Sequence, residues 1–177
     1  METIPAAATP VLVVDDDPGL LLSIKATLVS AGMPEPALVS DSRKVLDIVR
    51  RHPFQLILLD LNMPHMGGME LLEKIRREFP QTECIIVTAS DDAPTAVKAM
   101  RFGAYDYLVK PLNAEKLIIV VSRALERYNL KRELALFERK QTFSDLDQPE
   151  AFSGIIAEDE AMALVFRQIE VVGPTDY

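Results

Sequence analysis

The stretch QLILLDLNMP (Gln55–Pro64) runs through four consecutive apolar residues, Leu56–Leu59, into a lone carboxylate, Asp60. An apolar run without polar alternation predicts a strand covered on both faces, the environment of a parallel sheet. Asp60 then falls at the carboxyl end of that strand. Either it caps the segment that follows, or it is held at the lip of a sheet because chemistry happens there.

Upstream, VLVV (Val11–Val14) has the same character and ends in Asp15, Asp16 and Asp17, followed by Pro18. Asp17 as N-cap with Pro18 in the first turn starts a helix. It carries Leu21, Leu22, Ile24, Ala26 and Leu28 and stops near Gly32 and Pro34. Ala37–Val39 reads as a second strand, and Arg43–Arg51 as a helix with Val45, Leu46, Ile48 and Val49 inward. Downstream of the third strand, Gln55–Asp60, Gly68–Phe79 places Met69, Leu72, Ile75 and Phe79 at helical spacing. Cys84–Val87 is the fourth strand, ending in Thr88, and Asp92–Phe102 a helix closed by Gly103. Tyr105–Val109 is the fifth strand, running into Lys110-Pro111, and the last helix begins near Asn113. Strands alternating with helices predict an α/β fold: a flavodoxin-like, doubly wound, five-stranded parallel sheet of order 2-1-3-4-5.

In such sheets ligands bind beyond the carboxyl ends of the strands. Asp15, Asp16, Asp60, Thr88 and Lys110 all fall at that edge. Each alone has an ordinary reading as a cap, a solvated turn or a surface charge; no capping argument requires all of them together. Clustered carboxylates repel one another, and a hard divalent cation such as Mg²⁺, which keeps several waters, relieves the repulsion. A cation held by acids beside an ammonium is equipment for handling a phosphoryl group while a carboxylate attacks.

Composition is consistent with this reading. The chain has 177 residues, 49% hydrophobic and 26% charged, enough for one well-buried domain and an appendage. The net charge of −8 argues against a general nucleic-acid or membrane-surface binder. A single cysteine, Cys84, excludes an intrachain disulfide and a cysteine metal cluster. METIPAAATP lacks the pattern of a targeting segment, and no apolar run approaches membrane-spanning length, so the expected location is the cytoplasm. His52, at a helix end, reads as exposed, and His65, in the loop after Asp60, is a poor candidate ligand beside acids suited to Mg²⁺.

VLVVDDDPG, LILLDLNMP, IIVTAS and YLVKP, at this spacing, resemble the signature stretches of the response-regulator receiver domain of two-component signalling. The resemblance implies that Asp60 is the phosphoacceptor and that Asp15 and Asp16 are the acidic pair near Mg²⁺. It makes Asp16, Asp60 and the backbone carbonyl of Asn62 metal ligands, with Asp15 acting through water. Thr88 becomes the switch hydroxyl, Lys110 the phosphate contact and Tyr107 the switch aromatic. The bond before Pro111 is expected to be cis. The side chains of Asn62 and Ser90 tune autodephosphorylation. One departure is visible: Gly67-Gly68 stands where the family commonly has an acid before glycine. That removes a helix cap and is expected to loosen the loop beside Asp60.

The expected organisation is a disordered lead-in (1–9), a receiver domain (10–128), a linker helix and linker (129–149) and the truncated start of an AAA+ ATPase domain (150–177). Residues 115–140 contain neither Gly nor Pro, predicting one long helix. FSGIIAEDEAMALVFRQIEVVGPTDY (152–177), with a helix over Ala161–Val172, resembles the opening of the ATPase domain of sigma-54-dependent activators of the NtrC type, departing from it at Ala157 and around Gly173. No G-x-x-x-x-G-K-[ST] occurs, so no ATP hydrolysis is expected of these residues. The implied partners are a sensor histidine kinase and a second copy of the chain, meeting through the face of the fourth helix, fifth strand and fifth helix or through the linker helix. In a full-length protein, sigma-54 RNA polymerase and DNA would join them; no membrane partner is implied. Two alternatives remain: a receiver-type interaction module without DNA-binding output, and a Mg-dependent aspartyl phosphatase. The phosphatase would want D-x-D after a strand, which D-L-N does not supply.

Overall fold

A computed structural model describes residues 2–3, 9–89 and 93–139. Six strands form one sheet: β1 (Glu2–Thr3), β2 (Val11–Val14), β3 (Ala37–Val39), β4 (Leu56–Asp60), β5 (Glu83–Thr88) and β6 (Asp106–Val109), in the order β1-β3-β2-β4-β5-β6. The five strands β2 to β6 are parallel and have the order expected of a flavodoxin-like sheet. The sixth is an addition. The sequence reading makes residues 1–9 a loose lead-in, yet Glu2 and Thr3 pair antiparallel with Val39 and Leu38. Backbone groups at a sheet edge need partners, and a short extended segment supplies them.

The helices are α1 (Pro18–Ser30), α2 (Val45–Arg51), α3 (Gly68–Glu78), α4 (Ala93–Arg101) and α5 (Ala114–Arg139). Asp17 caps α1 by accepting the Gly19 and Leu20 N–H groups, with Pro18 in the first turn, and Gly32 after its end takes φ 78°. A 3₁₀ turn, Ser42–Lys44, precedes α2, so the helix expected from Arg43 starts later. Strand side chains alternate between two cores. Leu12, Val14, Ile57, Leu59, Cys84 and Ile86 face one, with α2 and α3 packed on it. Val11, Val13, Leu56, Leu58, Ile85 and Val87 face the other, with α1 and α5. On α1 only Leu21, Ile24 and Leu28 are buried; Leu22 and Ala26 are exposed, because the i, i+3, i+7 stripe alone meets the sheet.

The chain divides into two compact units, Met1–Asn129 and Leu130–Tyr177. The first contains the whole sheet. The sequence readings over 140–177, linker and ATPase start alike, lie outside the described residues. No helix among the described residues is long and apolar enough to cross a membrane.

Candidate functional site

The parallel order brings the ends of β2, β4, β5 and β6 to one edge, and the residues there are both buried and charged. Asp15 follows β2 and is 1% exposed; Asp60 ends β4 and is 2% exposed; Thr88 ends β5 and is fully buried. Two buried acids at adjacent strand ends carry a large desolvation cost unless something compensates. Lys110, just after β6, does so: its Nζ lies 2.7 Å from Asp15 Oδ2 and 3.0 Å from Asp60 Oδ1. The contact with Asp15 is a directed hydrogen bond, whereas that with Asp60 is electrostatic only. Asp60 Oδ1 is therefore a buried polar atom without a hydrogen-bond partner, while Oδ2 accepts the Asn62 N–H at 3.0 Å.

The balance of burial and charge shows in the pKa values. Burial pushes the Asp15 carboxyl above its ordinary value, against the lowering effect of the Lys110 hydrogen bond, the Asp17 N–H and the Lys110 charge. For Lys110 burial works against the ammonium, and the interactions with Asp15 and Asp60 outweigh it, so its pKa is raised. Burial outweighs Lys110 at Asp15 even though that ammonium serves both acids, so the pocket favours added positive charge. Asp16 is exposed, and carboxylate oxygens of Asp15, Asp16 and Asp60 all lie within 4.8 Å of one another. Oxygen donors only, an orphaned buried oxygen and open access on the Asp16 side suit a hard divalent cation.

The remaining sequence-predicted residues are placed as follows. Thr88 pairs in register with Val109 and Ile86 with Tyr107, so Thr88 and Tyr107 share one face of the sheet. Tyr107 is half-buried against that face's core. The Lys110–Pro111 bond is cis, as the sequence reading expects, and the Lys110 N–H donates to the Thr88 carbonyl at 2.8 Å. The Asn62 side chain is exposed, and Ser90 lies outside the described residues. Gly67 begins α3 without a side-chain cap, as expected from the missing acid. The loop from Leu61 to Gly67 has supports that sequence reading missed: Gly68 N–H donates to the Leu61 carbonyl at 3.0 Å, and buried Ser42 bonds Pro64 and Met66. Ser42 reads locally as a turn residue, and nothing in DSRKVL points to a loop more than twenty residues away.

This fold, with acids gathered at the carboxyl edge of a five-stranded parallel sheet, is that of a receiver domain, and sequence comparison agrees: the response regulator receiver domain family matches residues 11–122, so the chain belongs to that family. Among its relatives, the transcriptional regulatory protein ZraR of Klebsiella oxytoca is 33% identical over 94% of this chain and 35% of its own length. The crystal structure of a CheY-like receiver domain protein from Methanospirillum hungatei superposes with TM-score 0.65 at 30% identity, covering 71% of this chain and 99% of that one. The crystal structure of NtrX from Brucella abortus gives TM-score 0.67 at 30% identity, over 93% of this chain and 35% of that chain. The chain spans about a third of the length of the curated relatives it matches.

Proposed function

We propose that this chain is the phosphorylation-controlled receiver segment of a transcriptional response regulator and that Asp60 accepts the phosphoryl group. One observation carries the reading: the buried Asp60 carboxylate has one oxygen held by Asn62 and the other, with no directed hydrogen bond, ion-paired to Lys110 at 3.0 Å beside Asp15 and Asp16. A carboxylate placed only to cap a helix would not need an ammonium and two further acids beside it. Once Lys110 turns to the incoming phosphoryl group, Asp60 Oδ1 can attack phosphorus. The new O–P bond forms as the N–P bond of a sensor kinase's phosphohistidine breaks, and the imidazole nitrogen keeps the bonding pair.

Asp16, Asp60 and the Asn62 carbonyl would hold Mg²⁺, with Asp15 acting through water; when bound, the cation spreads the negative charge of the phosphoryl oxygens. Lys110 then transfers its ammonium from the carboxylates to a phosphoryl oxygen. Thr88 donates its hydroxyl to another, and Tyr107, on the same sheet face, turns into the space that Thr88 leaves. Inverting a two-state equilibrium from about 1:99 to 99:1 takes ~5.5 kcal/mol. Hydrogen bonds to charged groups contribute ~1.5–3 kcal/mol each, so the Thr88 and Lys110 bonds together reach that scale.

The output is read from resemblance. The relatives' names as transcriptional regulators, and the likeness of 152–177 to the start of a sigma-54-activating ATPase, support control of transcription in the cytoplasm through sigma-54 RNA polymerase and DNA. The signal would pass through a dimer formed by α4, β6 and α5 or by the linker helix. The phosphoacceptor reading is tested by incubation with acetyl phosphate and Mg²⁺. One phosphoryl group per chain is expected, lost in Asp60→Asn; equal labelling of that variant refutes it, and turnover of a free phosphomonoester would favour the phosphatase alternative.

A further inference from the structure

The loop that joins Asp60 to α3 carries Asn62, and its own backbone ties are few: Met66 N–H donates to the Pro64 carbonyl and Gly68 N–H to the Leu61 carbonyl, each at 3.0 Å. It runs into Gly67, which gives α3 no side-chain cap. At its centre His65 takes φ 71°, a left-handed conformation that side chains other than glycine rarely adopt. A loop so built needs a constraint from outside.

Ser42 supplies one. Its side chain is buried, 2% exposed, and its hydroxyl donates to the Pro64 carbonyl at 2.9 Å and accepts at 3.2 Å the Met66 N–H, which is shared with the Pro64 carbonyl at 3.0 Å. The two bonds grip the chain on either side of His65, from residues 22 and 24 positions away in sequence. Ser42 is itself held from outside. Asp41 accepts the Arg43 N–H at 3.0 Å and takes two bonds of 2.9 Å from the Arg43 guanidinium, closing the turn on its solvent side. A hydroxyl that spends both its donor and its acceptor on one loop does something that an alanine of similar bulk could not.

We propose that Ser42 is a positioning residue for the cation-binding edge. By fixing Pro64 and Met66 it fixes the turn from which Asn62 donates to Asp60 Oδ2 and offers its own carbonyl to the cation. In this chain the clamp from the β3–α2 connection takes the place of the cap that Gly67 cannot provide. The proposal rests on the reading of Asp15, Asp16 and Asp60 as a Mg²⁺ site.

The test is a titration of the isotopically labelled full chain with magnesium chloride alone, followed by backbone amide shifts in the magnetic resonance spectrum. In Ser42→Ala the Met66 amide, left with the Pro64 carbonyl as acceptor, should exchange faster, and the Mg²⁺ midpoint should rise about tenfold, the lower end of the range for groups that orient ligands. Ser42→Thr keeps the hydroxyl and should remain within about threefold of the parent on the same scale. A purely structural serine would lower the urea midpoint and leave the Mg²⁺ midpoint of folded molecules unmoved. Should Ser42→Ala fail to fold, Ser42→Cys, with a weaker donor and acceptor of similar shape, carries the same comparison. Parent-like Mg²⁺ binding in the hydroxyl-free variant overturns the proposal alone. A parent chain without Mg²⁺-dependent shifts around Asp15, Asp16 and Asp60 overturns the metal-site reading and this proposal with it.

Discussion

Gly67 and Gly68 are neighbours with opposite requirements, which makes them a controlled experiment on how α3 meets the site. At Gly68 a Cβ would stand 2.0 Å from the Asp60 carbonyl oxygen, 2.7 Å from Leu61 Cα and 2.8 Å from the Asp60 carbonyl carbon. Ordinary C···O contacts begin near 3.3 Å, so in Gly68→Ala the start of α3 must retreat by about 1.3 Å. The helix cannot retreat freely, because Leu71, Leu72 and Ile75 are fully buried in the core beneath it. Forced overpacking costs ~1–3 kcal/mol, and the upper part applies where backbone is struck. Losing the Gly68 N–H bond to Leu61 adds ~1 kcal/mol. Better helix propensity and a less flexible unfolded chain return up to ~1 kcal/mol. The net expectation is a loss of about 2–3 kcal/mol. Gly67 has φ −65° and ψ 146°, ordinary extended backbone, and nothing lies within 4 Å of its Cβ position. Gly67→Ser should therefore gain about 0.5–1.5 kcal/mol, from a cap hydroxyl and reduced unfolded-state freedom. Urea unfolding followed by circular dichroism measures both. Because the displaced atom is Asp60's own carbonyl oxygen, Gly68→Ala should also slow acetyl phosphate labelling under folded conditions. A Gly68→Ala chain within about 0.5 kcal/mol of the parent would refute the steric argument, since surface-like substitutions stay in that band.

Replacing Lys110 by Met leaves Asp15 and Asp60 buried without their counter-ion, at a cost of about 3 kcal/mol at neutral pH. Asp15 already holds its proton above the ordinary carboxylate range, so stability falls as pH rises through that range; urea curves at pH 4 and 7 should show the deficit shrinking in acid, and Mg²⁺ should shrink it at pH 7. An identical deficit in chelator and in Mg²⁺ would count against the pocket. Thr88→Ala should label at Asp60 within about twofold of the parent rate, the hydroxyl acting after transfer, yet lose the phosphorylation-dependent change in Tyr107 amide shifts; an undiminished change removes the switch model. Burial pushes the Cys84 thiol from 9.0 up to about 12, so it should ignore thiol reagents at pH 8 until urea unfolds the chain. The unfolded thiol ionises first, so stability drains between pH 9 and 12 by at most ~1.4 kcal/mol per pH unit from this group; fast labelling of folded protein would show the strand opening.

Much of this architecture is legible in the chain because buried parallel strands leave unbroken apolar runs. Val11–Val14 is found at its expected position, the third strand, expected over Gln55–Asp60, begins one residue later at Leu56, and the residues that follow such runs fall at one edge by topology. Boundaries were less legible. β5 begins at Glu83, whose buried carboxylate faces Arg127 at 3.5 Å, a charge that no apolar pattern would assign to a strand. Leu22 looks like core by composition but points away from the sheet, as only three-dimensional packing decides. The pairing of Glu2–Thr3 and the reach of Ser42 share a cause. Both depend on partners distant in sequence, and neither leaves a periodicity behind.

The two-residue strand β1 has a consequence for how copies of this sheet meet. It lies along the outer side of β3, so among the described residues the sheet's two borders are β1, two residues long, and β6, four residues long. A very short border offers little backbone for another strand to pair with, so extension of the sheet is disfavoured there. Copies that met edge to edge would therefore meet through β6, and a two-fold β6-to-β6 contact leaves only the short β1 borders facing outward.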